Sequence, residues 1–392
     1  MPEQKQKLKK SQPEEKSVQK KEQSPWPMKQ RPWMVAVGIF IGATIGVWWL
    51  FGVQIADAWQ YVREWSGIGI TTTLGIGEAA DTNDDGDAGL VPRLLDGVLV
   101  ESAQSNLVPY SIMIENLLSV RPQSGLSAAS VVYETLVEGG ATRFMAVFDP
   151  RTSVPTIMPV RSSRAYFLEW ALEYDVLYGH AGGSPHALQV IREQGVRDFD
   201  ALTSRGAKYY WRDSNRPAPH NLVTSSEKMV SALDTLELDL QHAEFLPWKF
   251  KDGALPADRG ADGKTLTFNF SYGTTYEVDF TYNQERNQYL RFNANQPHVD
   301  ANTNEQIAVD NVIVQLVEEP VLNGGKGRID MFVGGTGDAW VARDGQMIKA
   351  TWRKDANRER TRFYDESGAE IELNRGTTWV HVVTKTQGVT YE

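Results

Sequence analysis

The 392-residue chain contains no cysteine. That absence excludes disulfides, thiolate metal sites and cysteine nucleophiles. It leaves the compartment open. A basic surplus is also missing, because the formal net charge is −10. Nucleic acid is therefore excluded as a main partner, since neutralising phosphates needs a dense basic face. Complete catalytic signatures are absent too. There is no H-E-x-x-H zinc motif and no G-x-S-x-G nucleophile elbow. Gly324-Gly325-Lys326-Gly327 and Gly334-Gly335-Thr336-Gly337 lack P-loop or dinucleotide spacing and read as β-turns. Nothing in the sequence calls for a cofactor. What remains is a globular composition, 41% hydrophobic and 23% charged.

The charge is unevenly placed. Met1 to Trp33 holds nine Lys and Arg and four Glu, among Gln, Pro and Ser. Such a segment cannot bury a core, so residues 1–32 are expected to be a disordered basic cytoplasmic tail. Pro32 to Ala56 then runs without a charge. About 20 apolar residues span a bilayer. Residues 33–56 are therefore expected to be an uncleaved transmembrane helix, with Trp33, Trp48, Trp49 and Trp59 near its interfaces. Gly38, Gly42 and Gly46 form a small-residue stripe on one face, a route to a homodimer. Residues 57–90 read as an acidic linker. Within it Asp81, Asn83 and Asp85, followed by Gly86, resemble the first half of a calcium loop. Pro92 stands where the closing Glu belongs, so a solvated linker is the preferred reading.

The remainder reads as an α+β protein with two domains. Residues 91–240 alternate strand and helix patterns and suggest a mixed α/β sandwich. Strand runs are Ser111–Ile114, Val131–Leu136, Phe144–Phe148 and Val176–Tyr178. Helices are expected over Ser163–Tyr174, Ser184–Glu193 and Ser225–Leu236. Residues 241–264 read as a linker. Residues 265–392 look β-rich, with strands at Leu266–Phe270, Tyr276–Phe280, Val312–Val317, Ile329–Val333 and Trp379–Val383. Asp344-Gly345 and Ser367-Gly368 read as hairpin turns.

Five polar motifs crowd into Arg121–Asn221. They are Arg121-Pro122-Gln123-Ser124-Gly125-Leu126, Glu138 to Phe144, Pro159 to Arg164, His180 to His186, and Arg216-Pro217-Ala218-Pro219-His220-Asn221. With Asn311 to Gln315, Gly327-Arg328, Gly334 to Gly337 and Thr377 to Val380, this pattern resembles the YerB-like family of bacterial cell-envelope lipoproteins. The resemblance covers roughly Pro92 to Val383. It implies a two-domain extracytoplasmic protein and supplies no catalytic residues. Such lipoproteins are tethered through a lipidated cysteine, which this chain does not have.

Loops of this composition on a rigid scaffold tend to carry function. Gly182, Gly183 and Ser184 precede a helix start, where free amides and the dipole attract an anion. Arg121, Arg143, Arg161, Arg164 and Arg216 can grip carboxylate or phosphate, or pair instead with Glu115, Glu134 or Glu138. His180, His220 and Asn221 complete the candidate ligand set, and His220 is a chemically sensible general base. His180, His186 and His220 lack zinc-site spacing, so no metal is assigned to them. The leading expectation is a membrane-anchored envelope module that binds an anionic ligand or a cell-wall protein through an Arg/His-lined cleft. Two alternatives stand beside it: an envelope hydrolase using His220, and a scaffold docking a partner through the β-rich part. The positive-inside rule sets the topology, with the N-terminus in the cytoplasm and the folded part outside the plasma membrane. Protease added to intact spheroplasts should then digest the region after Val53; a protected C-terminus would overturn that orientation.

Overall fold

A computed structural model describes residues 89–236, 243 and 245–392. The expected tail, the span at 33–56, the Gly38, Gly42 and Gly46 stripe and the Asp81, Asn83 and Asp85 loop lie outside these residues. Among the described residues no helix is long and apolar enough to cross a membrane.

The principal strands and helices, in chain order, begin with β1 (Tyr110–Glu115), β2 (Val131–Leu136) and β3 (Thr142–Phe148). Next come α1 (Ala165–Glu173), β4 (Leu177–His180), α2 (Pro185–Gln194), β5 (Asp198–Asp200) and α3 (Ser226–Thr235). They continue with β6 (Thr265–Asn269), β7 (Glu277–Asn283), β8 (Gln288–Asn293) and β9 (Asn311–Val317). The last are β10 (Gly335–Arg343), β11 (Gln346–Lys354), β12 (Arg362–Tyr364), β13 (Thr378–Thr384) and β14 (Val389–Tyr391).

Ten of these strands form one sheet, in the order β12-β11-β10-β9-β13-β2-β3-β1-β4-β5. Every residue of β1, β2 and β3 is buried. That is why their sequences run nearly continuously apolar, as strands covered on both faces do. α1 covers the face carrying Tyr133, which stacks on Trp170 at 5.0 Å. The opposite face carries Glu134, Phe144, Trp379 and His381. A second sheet covers it, in which β8, β7, β6 and β14 pair in that order. β6, β7 and β8 alternate buried with half-buried residues, the pattern of a sheet with one solvated face. The core is thus three layers: helix, ten-stranded sheet, smaller sheet.

The seam between the two halves is β13. It lies parallel to β9 on one side and to β2 on the other, with His381 opposite Glu134. The stretch after 245 is ordered against both halves. Trp248 is buried and donates to the Thr361 carbonyl at 2.8 Å, and Phe250-Lys251 pairs with Leu373-Asn374.

Local chemistry explains several element ends. Ser184 caps α2 by accepting from the Ala187 amide at 3.1 Å, Pro185 opens it, and Gly195 ends it with φ 62°. Ser225 caps α3 in the same way. Asp344 and Gly345 both have positive φ, which the tight β10–β11 hairpin requires. The expected turn at Gly334 to Gly337 is corrected, because Gly335 opens β10. A Cβ on Gly337 would come within 2.6 Å of the Trp352 indole nitrogen, so glycine here admits the Trp352 ring. The run Ile329–Val333 forms only a two-residue strand, paired with Val321-Leu322. Strands β5, β8, β10, β11, β12 and β14 are additional to those expected from the sequence pattern.

A buried polar network joins the larger sheet to the smaller one. Glu134 pairs with Arg291 on β8 at 2.7 Å and with His381 at 3.1 Å. Its other oxygen accepts from Asn116 at 2.9 Å and Thr142 at 2.7 Å. Burial alone would raise the Glu134 pKa. Arg291, His381 and Thr142 overcome this and hold it at about 2. Burial pulls His298 and His381 below their ordinary 6.5, with the Arg291 charge adding to the effect.

All three groups therefore titrate lower in the folded state than in the unfolded one. Their stabilisation is complete above the unfolded values and is lost as pH falls. Chemical denaturation should show stability declining from about pH 6.5, with a further loss of about 3 kcal/mol as Glu134 protonates below pH 4.5. Glu134→Gln should cost about 3–5 kcal/mol at pH 7 by stranding the Arg291 charge. Stability that stays flat from pH 7 to pH 3 would refute this account.

Candidate functional site

The structure sorts the candidate residues into three groups. The first is a clamp between the sheets. Arg121 donates from Nε to Asn116 at 3.0 Å, from Nη1 to the Thr275 carbonyl at 3.2 Å, and lies over the Tyr276 ring. Arg216 holds the same loop, donating to the carbonyls of Val120 at 2.7 Å and Pro122 at 2.9 Å. Gln123 joins the Glu134 network through His298 and Asn116. Gly125, with φ 94°, leaves no room for a Cβ beside Thr156, and its amide donates to buried Asp300 at 3.1 Å.

The second group is the start of α2. His180 is fully buried, with Nδ1 facing the Gly182 carbonyl at 2.9 Å and Nε2 facing Asp198 at 3.2 Å. The Gly182 amide donates to Asp200 at 2.7 Å, and the Ser184 amide donates to the Ser163 carbonyl at 3.2 Å. Gly183 sits between them, bridged to Ser163. These groups hold β4, β5 and α2 together. Asn221 serves its own loop, donating to the carbonyls of Asp213 and Arg216 and accepting from Arg212.

The third group is a cluster of three guanidiniums on two carboxylates. Glu115, at the end of β1, faces Arg143 on β3 in the sheet register. The Glu115 side chain is buried and meets Arg161 at 3.0 Å and His220 at 2.7 Å. Glu115 accepts the proton on His220 Nδ1, which fixes the orientation of the ring. Arg164 forms a bidentate pair with Glu138, 2.7 Å from Nε to Oε1. Glu115 and Glu138 thus give Arg161 and Arg164 a counter-ion each.

Arg143 is different. It is only 6% exposed, and its Nη1 donates to the Ser162 carbonyl. Its Nε is buried without a hydrogen-bond partner. No carboxylate lies within ion-pair distance of it among the described residues. Burial, then the nearby Arg164 and Arg161 charges, push its pKa down to about 10. Three cations against two anions leave the cluster with a surplus positive charge before His220 is counted. Arg161 and His220 keep 23% and 28% of their side chains exposed, so the surplus reaches solvent. Such a site favours an incoming anion.

Among the described residues, no group of three or more His, Asp or Glu is placed to hold a metal ion. Glu115 ties this cluster together, although its residue type alone marks it only as one of several salt-bridge partners. Its central role depends on β1 and β3 pairing and on the 216–221 loop folding back.

The fold is a two-layer sheet core with one helix-covered face, and it carries an arginine cluster at the ends of β1 and β3. Family comparison agrees with the architecture. Residues 95–239 match the model described as "Protein of unknown function (DUF3048) N-terminal domain", and residues 266–380 match its C-terminal counterpart. A Bacillus subtilis (strain 168) protein described as "Putative lipoprotein YerB" is 30% identical over 296 residues, covering 74% of this chain and 85% of that protein. The crystal structure of YerB from Bacillus subtilis superposes with a TM-score of 0.68 at 24% identity, covering 76% of this chain and 99% of that one. The chain belongs to the DUF3048 family, whose two domains are built mostly of sheet, here with three α-helices among the described residues.

The unbalanced charge makes a stability prediction. A buried cation without its own counter-ion opposes folding. Arg143→Met should therefore cost less than about 1 kcal/mol or stabilise the fold, since the sites that carry function often oppose stability. A loss above about 2 kcal/mol in urea denaturation would show that Arg143 is a structural ion and not a surplus charge.

Proposed function

We propose that this protein is an envelope module that binds an anionic group at the Arg143, Arg161 and Arg164 cluster, with His220 at its edge. One observation carries the reading: Arg143 is a buried guanidinium with an unpartnered Nε and no carboxylate of its own. A phosphate or carboxylate oxygen supplies both the missing acceptor and the missing charge. Charge-assisted hydrogen bonds of this kind are about twice as strong as neutral ones. The relative's description as a lipoprotein supports placing the folded part outside the plasma membrane. In this chain the apolar run at 33–56 takes the place of a lipid anchor, as a single-pass span with the N-terminus inside.

A second reading rests on the His220–Glu115 pair at 2.7 Å. A carboxylate that fixes the tautomer of a partly exposed histidine is how many enzymes orient a general base. Binding ranks above hydrolysis because, among the described residues, neither neighbouring serine is bonded to the pair: the Ser162 hydroxyl donates to the Ala181 carbonyl, and the Ser163 hydroxyl is bonded to Tyr178.

Inorganic phosphate is the direct probe. At tenfold excess over its Kd it should stabilise the protein by about 1.4 kcal/mol, raising Tm. Arg161→Ala with Arg164→Ala should abolish that rise while the circular dichroism spectrum stays unchanged. An equal rise in the double variant, or none in the parent, would sink the proposal. Phosphoester turnover that vanishes in His220→Ala would instead select the hydrolase.

A further inference from the structure

A second recess lies apart from the arginine cluster. It is a cavity of about 580 Å³ between α1, α2 and the arm formed by residues 321–334. None of Glu115, Arg143, Arg161, Arg164 or His220 lines it. We propose that it is a docking groove for an extended peptide segment that alternates apolar and cationic side chains.

Apolar contact is the first requirement. Val321, Leu322 and Phe332 are 47%, 78% and 73% exposed, and all three line this one cavity. They are three of the ten large apolar side chains exposed among the described residues. Scattered apolar side chains need no explanation, but a cluster rimming a concave surface marks a binding site.

Charge sets the second requirement. Glu169 on α1 lines the cavity half-buried, and its carboxylate has no ion pair or hydrogen bond among the described residues. Burial raises its pKa, the Lys354 charge opposes that rise, and the Glu173 charge adds to it. Lys354 is already engaged by Glu173 at 2.8 Å and by the carbonyls of Glu169, Asn357 and Glu359. An unpaired carboxylate in an apolar recess is costly, and a ligand cation offsets that cost. Asp330, paired with His186 at 2.8 Å, adds a second acid to the wall. An anionic ligand would meet both carboxylates and be repelled.

The remaining polar groups favour peptide over a plain hydrocarbon. Asn323 and Asn357 line the cavity, and Asn323 Nδ2 already donates to Asp330. The Asn323 amide oxygen and the Asn357 amide can serve the N–H and C=O groups of an extended backbone, whereas an alkyl chain would offer them no partner. The groove thus asks for anchors at alternate positions with a cation between them, as period-two side chains of an extended strand provide.

The test uses the full chain and three labelled hexapeptides, followed by fluorescence anisotropy: Leu-Lys-Leu-Lys-Leu-Lys, its Leu-Glu counterpart and its Ser-Lys counterpart. The Leu-Lys peptide should bind at least about tenfold more tightly than either control. Glu169→Gln should weaken it about tenfold. Leu322→Asp with Phe332→Asp should abolish binding and leave the near-ultraviolet circular dichroism unchanged, because both side chains are exposed. Arg161→Ala with Arg164→Ala should leave peptide binding intact, which separates this groove from the anion site. Absence of saturable binding, equal binding of the Leu-Lys and Ser-Lys peptides, or indifference to either groove variant would overturn the proposal.

Discussion

The ion pair between Glu134 and Arg291 is the contact on which the arrangement of the two sheets depends. Both side chains are almost wholly removed from water, at 1% and 0% exposure. Desolvating two charges costs several kcal/mol each, and their attraction repays it only when the geometry is good and further hydrogen bonds support the pair. Asn116, Thr142 and His381 complete Glu134, while the Arg291 plane lies over the Trp379 ring at 4.9 Å. These partners come from β2, β3, β8 and β13 and from the loop after β1. The pair therefore meets this set of partners in one register only. A slip of β13 by a single residue would turn His381 to the helix-covered face and bring Val380 or Val382 to the acid. The network gives the seam strand a reason to sit where it does.

The opposite face repeats the device with other chemistry. Glu173 at the end of α1 takes Lys354 at 2.8 Å and Thr361 at 2.6 Å. Arg360 lies 3.5 Å from the centre of the Tyr174 ring and within reach of Trp248 and Phe245. A guanidinium is weakly hydrated and stacks well on aromatic faces, so a cage of rings can hold it in the interior. Each face of the large sheet thus has a buried acid from the first half of the chain paired with a base from the second. Covalent cross-links are absent, and buried polar pairing supplies specificity in their place.

How much of this was legible in the sequence varies with the range of the interaction. Strands β6 and β7 stand out because one solvated face forces polar residues into every second position. The α2 start is equally plain, since Ser184, Pro185 and Gly195 act on their own backbone. The seam is not legible. Thr135 and Val382 are 247 residues apart, and parallel pairing at that separation leaves no local mark. The arginines show the same limit. Arg161 and Arg164 are near in sequence and end up in one cluster with Arg143 and His220, but Arg121 and Arg216 turn to the sheet junction. Residue type predicted that each would seek an acceptor, and only the fold decides whether that acceptor is a carboxylate, a carbonyl or nothing. The groove was invisible for the same reason, because Leu322 and Phe332 look like ordinary core residues until the arm carries them to the surface.

The contrast among the buried cations is what separates scaffold from site. Arg291 and Lys354 each have a carboxylate within 2.8 Å. Arg360 has Glu173 at 4.0 Å and three aromatic rings around it. Arg143 is buried like these, yet it has a single carbonyl bond and two further arginines for neighbours. Nothing in the packing requires a cation there, since a thioether or alkyl chain of the same length fills the space without desolvating a charge. Among the described residues the other buried cations each have a carboxylate within 4.0 Å, whereas Arg143 stays in surplus next to side chains that reach solvent, and that contrast is the physical ground of the proposal that it meets an anionic group.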